Sequence, residues 1–150
     1  MAEPHTPRIE LLVQVMFYDT DCAAVVHNLA YLRHIETART LLAEQLGWQL
    51  AGMSESGLYP VVLRTEIDYK RPAKLGDQLL VHGWLESVER MRFWCAFEIV
   101  RPSDGVRMVQ CRQSLALIQM PGAKPVRLPT DWKTRYAHLI RKVSRSGAAD

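Results

Sequence analysis

The sequence predicts an α+β domain in which one antiparallel sheet wraps a single long helix. Three observations support this prediction: a strand pattern near the N-terminus, one long helical pattern after it, and then only strand patterns up to residue 120. One helix and one sheet can bury their apolar faces only against each other. We expect a single domain over residues 1–150, with a core over about 8–120 and a tail over about 121–150.

The first two elements are a half-buried strand and a helix of about five turns. Residues 8–18 alternate between apolar and polar side chains, which is typical of a strand with one buried face, and the apolar set is Ile9, Leu11, Val13, Val15 and Phe17. Apolar residues then recur at helical steps of three and four, namely Leu29, Leu32, Ile35, Ala38, Leu42 and Leu46. Asn28 is the expected N-cap of this helix, and Gly47 is its expected end.

Four strands and a terminal helix are predicted after a loop that contains Gly52 and residues 54–57. The strand patterns cover residues 61–70, 78–90, 91–101 and 106–120, and the Pro-Ser-Asp-Gly turn at 102–105 separates the last two. An apolar stripe opposite basic residues indicates a terminal helix over 131–145. Because five strands around one helix leave a sheet edge unpaired, we expect a homodimer or a homotetramer.

The composition excludes several other classes of protein. Hydrophobic residues make up 48% and charged residues 23%, as in a globular chain. The N-terminus lacks the apolar segment of a signal peptide, and no apolar run approaches the roughly 18 residues of a membrane span. Three scattered cysteines indicate reduced thiols in the cytoplasm rather than a disulfide framework or a metal site. The net charge of +3 does not indicate nucleic acid, but it suits an anionic small ligand.

Two aspartates, Asp19 and Asp21, lie between the first strand and the helix. The start of a helix carries unpaired N–H groups and a partial positive charge, so it can hold an anion or polarise a carbonyl. A carboxylate beside it can act as a general base or as a nucleophile. Both aspartates also suit the hydrogen bonds of a turn. The pattern of the residues leaves both interpretations open.

Three sequence blocks resemble one known family. They are FYDTD at 17–21 with VVHN at 25–28 and YLR at 31–33, then DYKRPAKLGD at 68–77, and then PVRLP at 125–129. These blocks, in this order, resemble the hot-dog-fold acyl-CoA thioesterases, and in particular the YbgC-like and 4-hydroxybenzoyl-CoA thioesterase group. The resemblance implies the hot-dog fold, with a five-stranded sheet around the helix, and hydrolysis of an acyl-CoA to a free acid and coenzyme A. It implies no metal and no cofactor, since the coenzyme A thioester is the substrate.

The resemblance also assigns roles to residues. Asp21 matches the catalytic aspartate, as nucleophile or general base, and the backbone N–H of Asn28 matches the group that polarises the thioester carbonyl. The family usually has glycine where this chain has Ala24, and often Tyr-His where this chain has His27 and Asn28. The added methyl group of Ala24 either narrows the approach to the thioester or requires a different loop.

Other residues near these blocks are further candidates. His27 is expected to be a second base, a donor to the carbonyl oxygen or a helix cap. Glu36 is expected to position the acyl group or a water molecule, or to form an ion pair with a nearby arginine on the helix. Cys22 with His27 is an alternative nucleophile. Tyr31 is expected to contact the substrate. Four basic residues are candidates for binding the phosphates of coenzyme A, namely Lys70, Arg71, Arg90 and Arg92.

Two other functions stay open at this point. One is a hot-dog dehydratase or hydratase of acyl thioesters, in which His27 and Glu36 would move protons at the β-carbon. The other is an acyl-CoA-binding domain without catalysis. The acyl group, and the choice between coenzyme A and an acyl carrier protein, are not specified by the sequence.

Overall fold

The computed structural model describes residues 3–141, which form the predicted α+β architecture. The strands and helices are β1 Arg8–Gln14, α1 Asn28–Gln45, α2 Leu50–Ser56, β2 Leu58–Tyr69, β3 Gln78–Val88, β4 Arg92–Arg101, β5 Val106–Gln119, β6 Lys124–Val126 and α3 Trp132–Arg135. One helix of 18 residues faces one antiparallel sheet, as in the hot-dog fold. Within residues 3–141, no helix is long and apolar enough to cross a membrane.

The sheet has the strand order β1-β3-β4-β5-β2, and the short β6 pairs with the end of β5. All these pairs are antiparallel. Because β1 and β2 stand at the two ends of the strand order, they are the edges of the sheet. The buried residues of α1 lie against the inner face of the sheet, and the helix packs mainly against β1 and β3. The helix therefore lies nearer to the β1 and β3 half of the sheet than to β2.

The limits of α1 differ slightly from the prediction. The N-cap is His27 rather than Asn28, because the ring Nδ1 of His27 accepts a hydrogen bond from the N–H of Leu29 at 3.1 Å. The end at Gly47 is confirmed, since its φ of +99° lies in the left-handed region that favours glycine. Leu29 does not join the buried stripe, because its side chain is 58% exposed.

Three other segments correct the sequence prediction. The first strand ends at Gln14, and residues 17–19 form a 3₁₀ turn that leaves Phe17 82% exposed. The loop predicted over residues 52–57 is mostly helix α2, which ends at Gly57 with φ +68°. The terminal helix covers only Trp132–Arg135, because the backbone of Tyr136 leaves the helical region. Residues 142–145 of that predicted helix lie outside the described residues.

Candidate active site

The segment that carries Asp21 is a tight hairpin joined directly to α1. Thr20 pairs with Val26, and the N–H of Asp21 donates to the carbonyl of Val25 at 3.0 Å. The N–H of Ala24 donates to the carbonyl of Asp21 at 3.0 Å, and Ala24 has φ +58°. This is the geometry of a three-residue hairpin with a left-handed residue at its bulge, where glycine is favoured. Ala24 therefore takes the left-handed conformation for which the family's glycine is suited.

The loop after β2 holds this hairpin in place. The N–H of Val26 donates to the carbonyl of Ala73 at 2.8 Å, and the N–H of Leu75 donates to the carbonyl of Ala24 at 3.1 Å. Val25 also forms an isolated bridge with Lys74. The first two sequence blocks are thus neighbours in space. Their backbone hydrogen bonds fix the position of Asp21 relative to the start of α1.

Asp19 and Asp21 have different environments. Asp19 is only 2% exposed, and its Oδ2 accepts a hydrogen bond from the N–H of Met16 at 2.9 Å. Its Oδ1 lies 3.5 Å from Nη2 of Arg33 and 3.8 Å from Nε2 of His34. Burial lowers the pKa of His34, and the charge of Asp19 opposes this shift. Asp19 therefore anchors the turn and is not available to a substrate.

Asp21, in contrast, is exposed and engages its own turn through one oxygen. Its Oδ1 accepts a hydrogen bond from the N–H of Ala23 at 2.9 Å. The N–H of Asn28, at the first helical position, donates to none of the described residues. Of the three roles expected for His27, the structure shows the helix cap, because its Nδ1 accepts the hydrogen bond from the N–H of Leu29. The site thus presents a solvent-accessible carboxylate and an unpaired backbone donor at the same end of α1.

Two depressions flank this end of α1. One has a volume of about 250 Å³ and is lined by Val26, Asn28, Tyr31, Tyr69, Lys70, Arg71 and Pro72. It brings together Asn28 and the predicted substrate-binding residues Tyr31, Lys70 and Arg71. The hydroxyl of Tyr31 accepts a hydrogen bond from the N–H of Ala73 at 2.9 Å, and burial raises its pKa. The other depression, of about 530 Å³, brings together His27 and Glu36. Glu36 also lies 3.9 Å from Nη2 of Arg39, as a helix ion pair.

The two predicted basic pairs are far apart in one chain. Arg90 and Arg92 belong to the β3–β4 hairpin, beside the C-terminal end of α1, and Arg92 pairs with Glu89 at 2.8 Å. An 18-residue helix is about 27 Å long, so this hairpin is distant from Lys70 and Arg71. Arg90 lines a groove of about 530 Å³ with three basic residues that the sequence analysis did not single out, namely Arg127, Lys133 and Arg141. Arg127 lies in the third sequence block, and this position was the sequence feature that could have identified it as a candidate.

Comparisons with known proteins agree with this geometry. The thioesterase-like superfamily matches residues 15–136. A 1,4-dihydroxy-2-naphthoyl-CoA hydrolase from Synechocystis sp. is 30% identical over 129 residues, which cover 84% of this chain and 92% of that relative. A solved 1,4-dihydroxy-2-naphthoyl-CoA thioesterase from Synechocystis is similar with a TM-score of 0.75 and 26% identity, over 88% of this chain and 97% of the other. A DHNA-CoA thioesterase from Staphylococcus aureus shares the fold, with a TM-score of 0.76 and 24% identity over 87% and 89% of the two chains.

Proposed function

The chain belongs to the thioesterase-like superfamily and is a thioester hydrolase, and we propose that it cleaves an acyl-CoA to a free acid and coenzyme A. The observation that supports this proposal is the hairpin at the start of α1, which carries the exposed Asp21 at its turn and leads directly into the helix at Asn28. Relatives that act on 1,4-dihydroxy-2-naphthoyl-CoA support coenzyme A rather than a carrier protein as the thiol.

The chemistry needs two groups at this place. The carbonyl oxygen of a thioester gains negative charge in the tetrahedral transition state, and the N–H of Asn28 with the positive end of α1 stabilises it. Asp21 either attacks the acyl carbon, forming an anhydride that water then cleaves, or takes a proton from the attacking water. In both routes the thiolate of coenzyme A leaves and is protonated.

A second subunit completes the proposed site. Edge strand β2 exposes Leu63 by 56% together with Val62, which suits pairing with another chain. We propose that, in such an oligomer, Arg90 and Arg92 of one chain contact a coenzyme A that is bound beside Lys70 and Arg71 of another. We therefore expect a homodimer or a homotetramer by light scattering at micromolar concentration, and a monomer would contradict this.

A panel of acyl-CoA substrates tests the activity directly. We expect free thiol to be released from at least one acyl-CoA, with aliphatic and aromatic acyl groups both present in the panel. A change in enoyl absorbance without thiol release would instead indicate hydration by His27 and Glu36. Saturable binding without turnover would indicate a binding domain. Label found in Asp21 after a single turnover in ¹⁸O-labelled water would identify the nucleophilic route, because water that cleaves the anhydride at the Asp21 carbonyl leaves its oxygen there.

A further inference from the structure

A mostly apolar cavity of about 130 Å³ lies between the C-terminal half of α1, helix α2 and the sheet. Apolar side chains form most of its walls: Leu42, Leu46, Trp48, Met53, Phe93 and Leu115. Among the described residues that line it, Arg39 is the one charged side chain. Since a charge in apolar surroundings is costly unless it has partners, the contacts of Arg39 decide how this cavity can be used.

Arg39 has few partners for a guanidinium that is only 22% exposed. Its Nη1 donates to Oε1 of Gln113 at 2.7 Å, and Nε2 of Gln113 donates to the hydroxyl of Thr65 at 3.1 Å. Its Nη2 lies 3.9 Å from Oε1 of the exposed Glu36, which is too long for a hydrogen bond. Burial lowers the pKa of Arg39, but an arginine stays protonated in proteins. Among the described residues, only one of its five N–H donors has an acceptor.

Gln113 explains the position of the guanidinium. It is 4% exposed and lies on the helix-facing side of β5, between the buried Cys111 and Leu115. An apolar residue at this position would fill the core without a hydrogen-bonding requirement. Because Gln113 donates to Thr65 and accepts from Arg39, it holds the guanidinium at the cavity and leaves the other donors available.

The cavity and the depression at Asn28 share no lining residue, but both border β2. Pro60 of β2 lines the cavity, and Tyr69 of β2 lines the depression at Asn28. Between them, Thr65 and Ile67 pair with the buried Gln113 and Cys111, so they face the helix side of the sheet. The exposed Thr65 and the half-buried Ile67 are not covered by α1, which leaves a gap between the helix and this part of the strand. Asn28 and Arg39 are separated by about 16 Å along the axis of α1, at 1.5 Å per residue.

We propose that the acyl group lies in this gap and that Arg39 binds a carboxylate at its far end. The inference rests on the proposed function, because that function places the thioester at Asn28. The preferred substrates are then coenzyme A thioesters of medium-chain dicarboxylic acids, whose second carboxylate accepts hydrogen bonds from the guanidinium. An acyl chain that ends in a methyl group leaves these donors without an acceptor.

Matched pairs of substrates test this proposal. We compare kcat/KM for suberyl-CoA with octanoyl-CoA, and for dodecanedioyl-CoA with dodecanoyl-CoA, since the members of each pair differ only at the end of the chain. The wild type is expected to prefer the dicarboxylic member of at least one pair. Arg39→Gln should reduce this preference about tenfold to a hundredfold, the range for a lost charge-assisted hydrogen bond, and Arg39→Lys should retain part of it. Arg135→Gln removes an exposed arginine paired with Asp131 and should leave the preference as it is.

Equal hydrolysis of both members of each pair by the wild type would overturn the carboxylate site and leave the proposed function intact. A binding measurement tests the site even if the chain hydrolyses no thioester, and the Tm values also show whether the Arg39 variants fold. Suberate should raise the Tm of the wild type more than octanoate does, and Arg39→Gln should abolish the difference. If no thioester is hydrolysed but this difference is found, the carboxylate site stands and the proposed function fails. If no thioester is hydrolysed and the two acids shift the Tm equally, the carboxylate site is refuted as well.

Discussion

Replacing Asp21 by asparagine separates the turn role of this residue from its chemical role. The amide oxygen of asparagine can still accept the hydrogen bond from the N–H of Ala23, so the hairpin keeps its contact. Asp21 is exposed, so the loss of its charge leaves no buried partner unpaired. We therefore expect the free energy of unfolding to change by less than about 0.5 kcal/mol, as for most surface substitutions.

The effect on activity is expected to be much larger. Asparagine can neither attack the thioester nor accept a proton from water, so kcat should fall at least about 100-fold, the low end for a positioned acid–base group. Thiol release from the best acyl-CoA measures this, with circular dichroism and light scattering as checks on fold and assembly. Asp68→Asn is a suitable control because it removes an exposed carboxylate of β2. Near-normal turnover in a folded Asp21→Asn variant would refute the catalytic role of Asp21.

Four further predictions concern the same region. Asp19→Asn keeps an acceptor for the N–H of Met16 but removes the buried charge that faces Arg33, so it should lower the free energy of unfolding by about 1–3 kcal/mol in urea titrations; a neutral effect would contradict the anchoring role. Ala24→Gly should raise stability by about 1 kcal/mol, seen as a higher Tm, because glycine removes the strain of positive φ. Burial lowers the pKa of His34 below its ordinary 6.5, so the unfolded chain binds this proton more readily. The stability contributed by neutral His34 should be full above about pH 6.5 and should fall as the pH drops toward the folded-state pKa. In His34→Gln the Tm should therefore decrease less over this pH range. KM for acyl-CoA should rise with salt more than KM for an acyl-pantetheine, since salt screens the contacts of basic side chains with the nucleotide phosphates; equal responses would exclude that role.

The sequence predicted the parts of the fold in which one periodicity extends over many residues. The alternation in β1 and the helical steps of α1 are long enough to identify both elements, and Gly47 identified the end of the helix. Helix α2 was missed because Gly52 and two serines are also typical of a loop. The terminal helix was too long in the prediction because Trp132 and Tyr136 are buried by the tertiary fold rather than by one regular helix.

The candidate site shows where sequence patterns lose information. The resemblance assigned roles to Asp21 and Asn28, but the residue pattern did not distinguish the buried Asp19 from the exposed Asp21, because burial depends on Arg33, His34 and the backbone of residue 16. Arg39 had no predicted role of its own, because in the sequence it is only one of the arginines near Glu36 on the helix. Its hydrogen-bonded partner, Gln113, is distant in sequence. The polar Gln113 between Cys111 and Leu115 was a readable signal, since it occupies a position where the strand pattern expects an apolar side chain.

The hairpin explains why two identical side chains, two residues apart, have different uses. Asp19 precedes the first bridge of the hairpin, where its carboxylate accepts from the N–H of Met16 and faces Arg33 and His34 of α1. Asp21 follows the bridge, at the turn itself, and the loop after β2 forms its backbone hydrogen bonds with Ala24 and Val26 rather than with Asp21. A carboxylate enclosed by hydrogen-bond donors stabilises the loop, whereas one at the turn stays accessible to a substrate. The position of Asp21 thus depends on the contacts of Asp19. A substitution of Asp19 that weakens these contacts should reduce activity only to the extent that the hairpin becomes less stable.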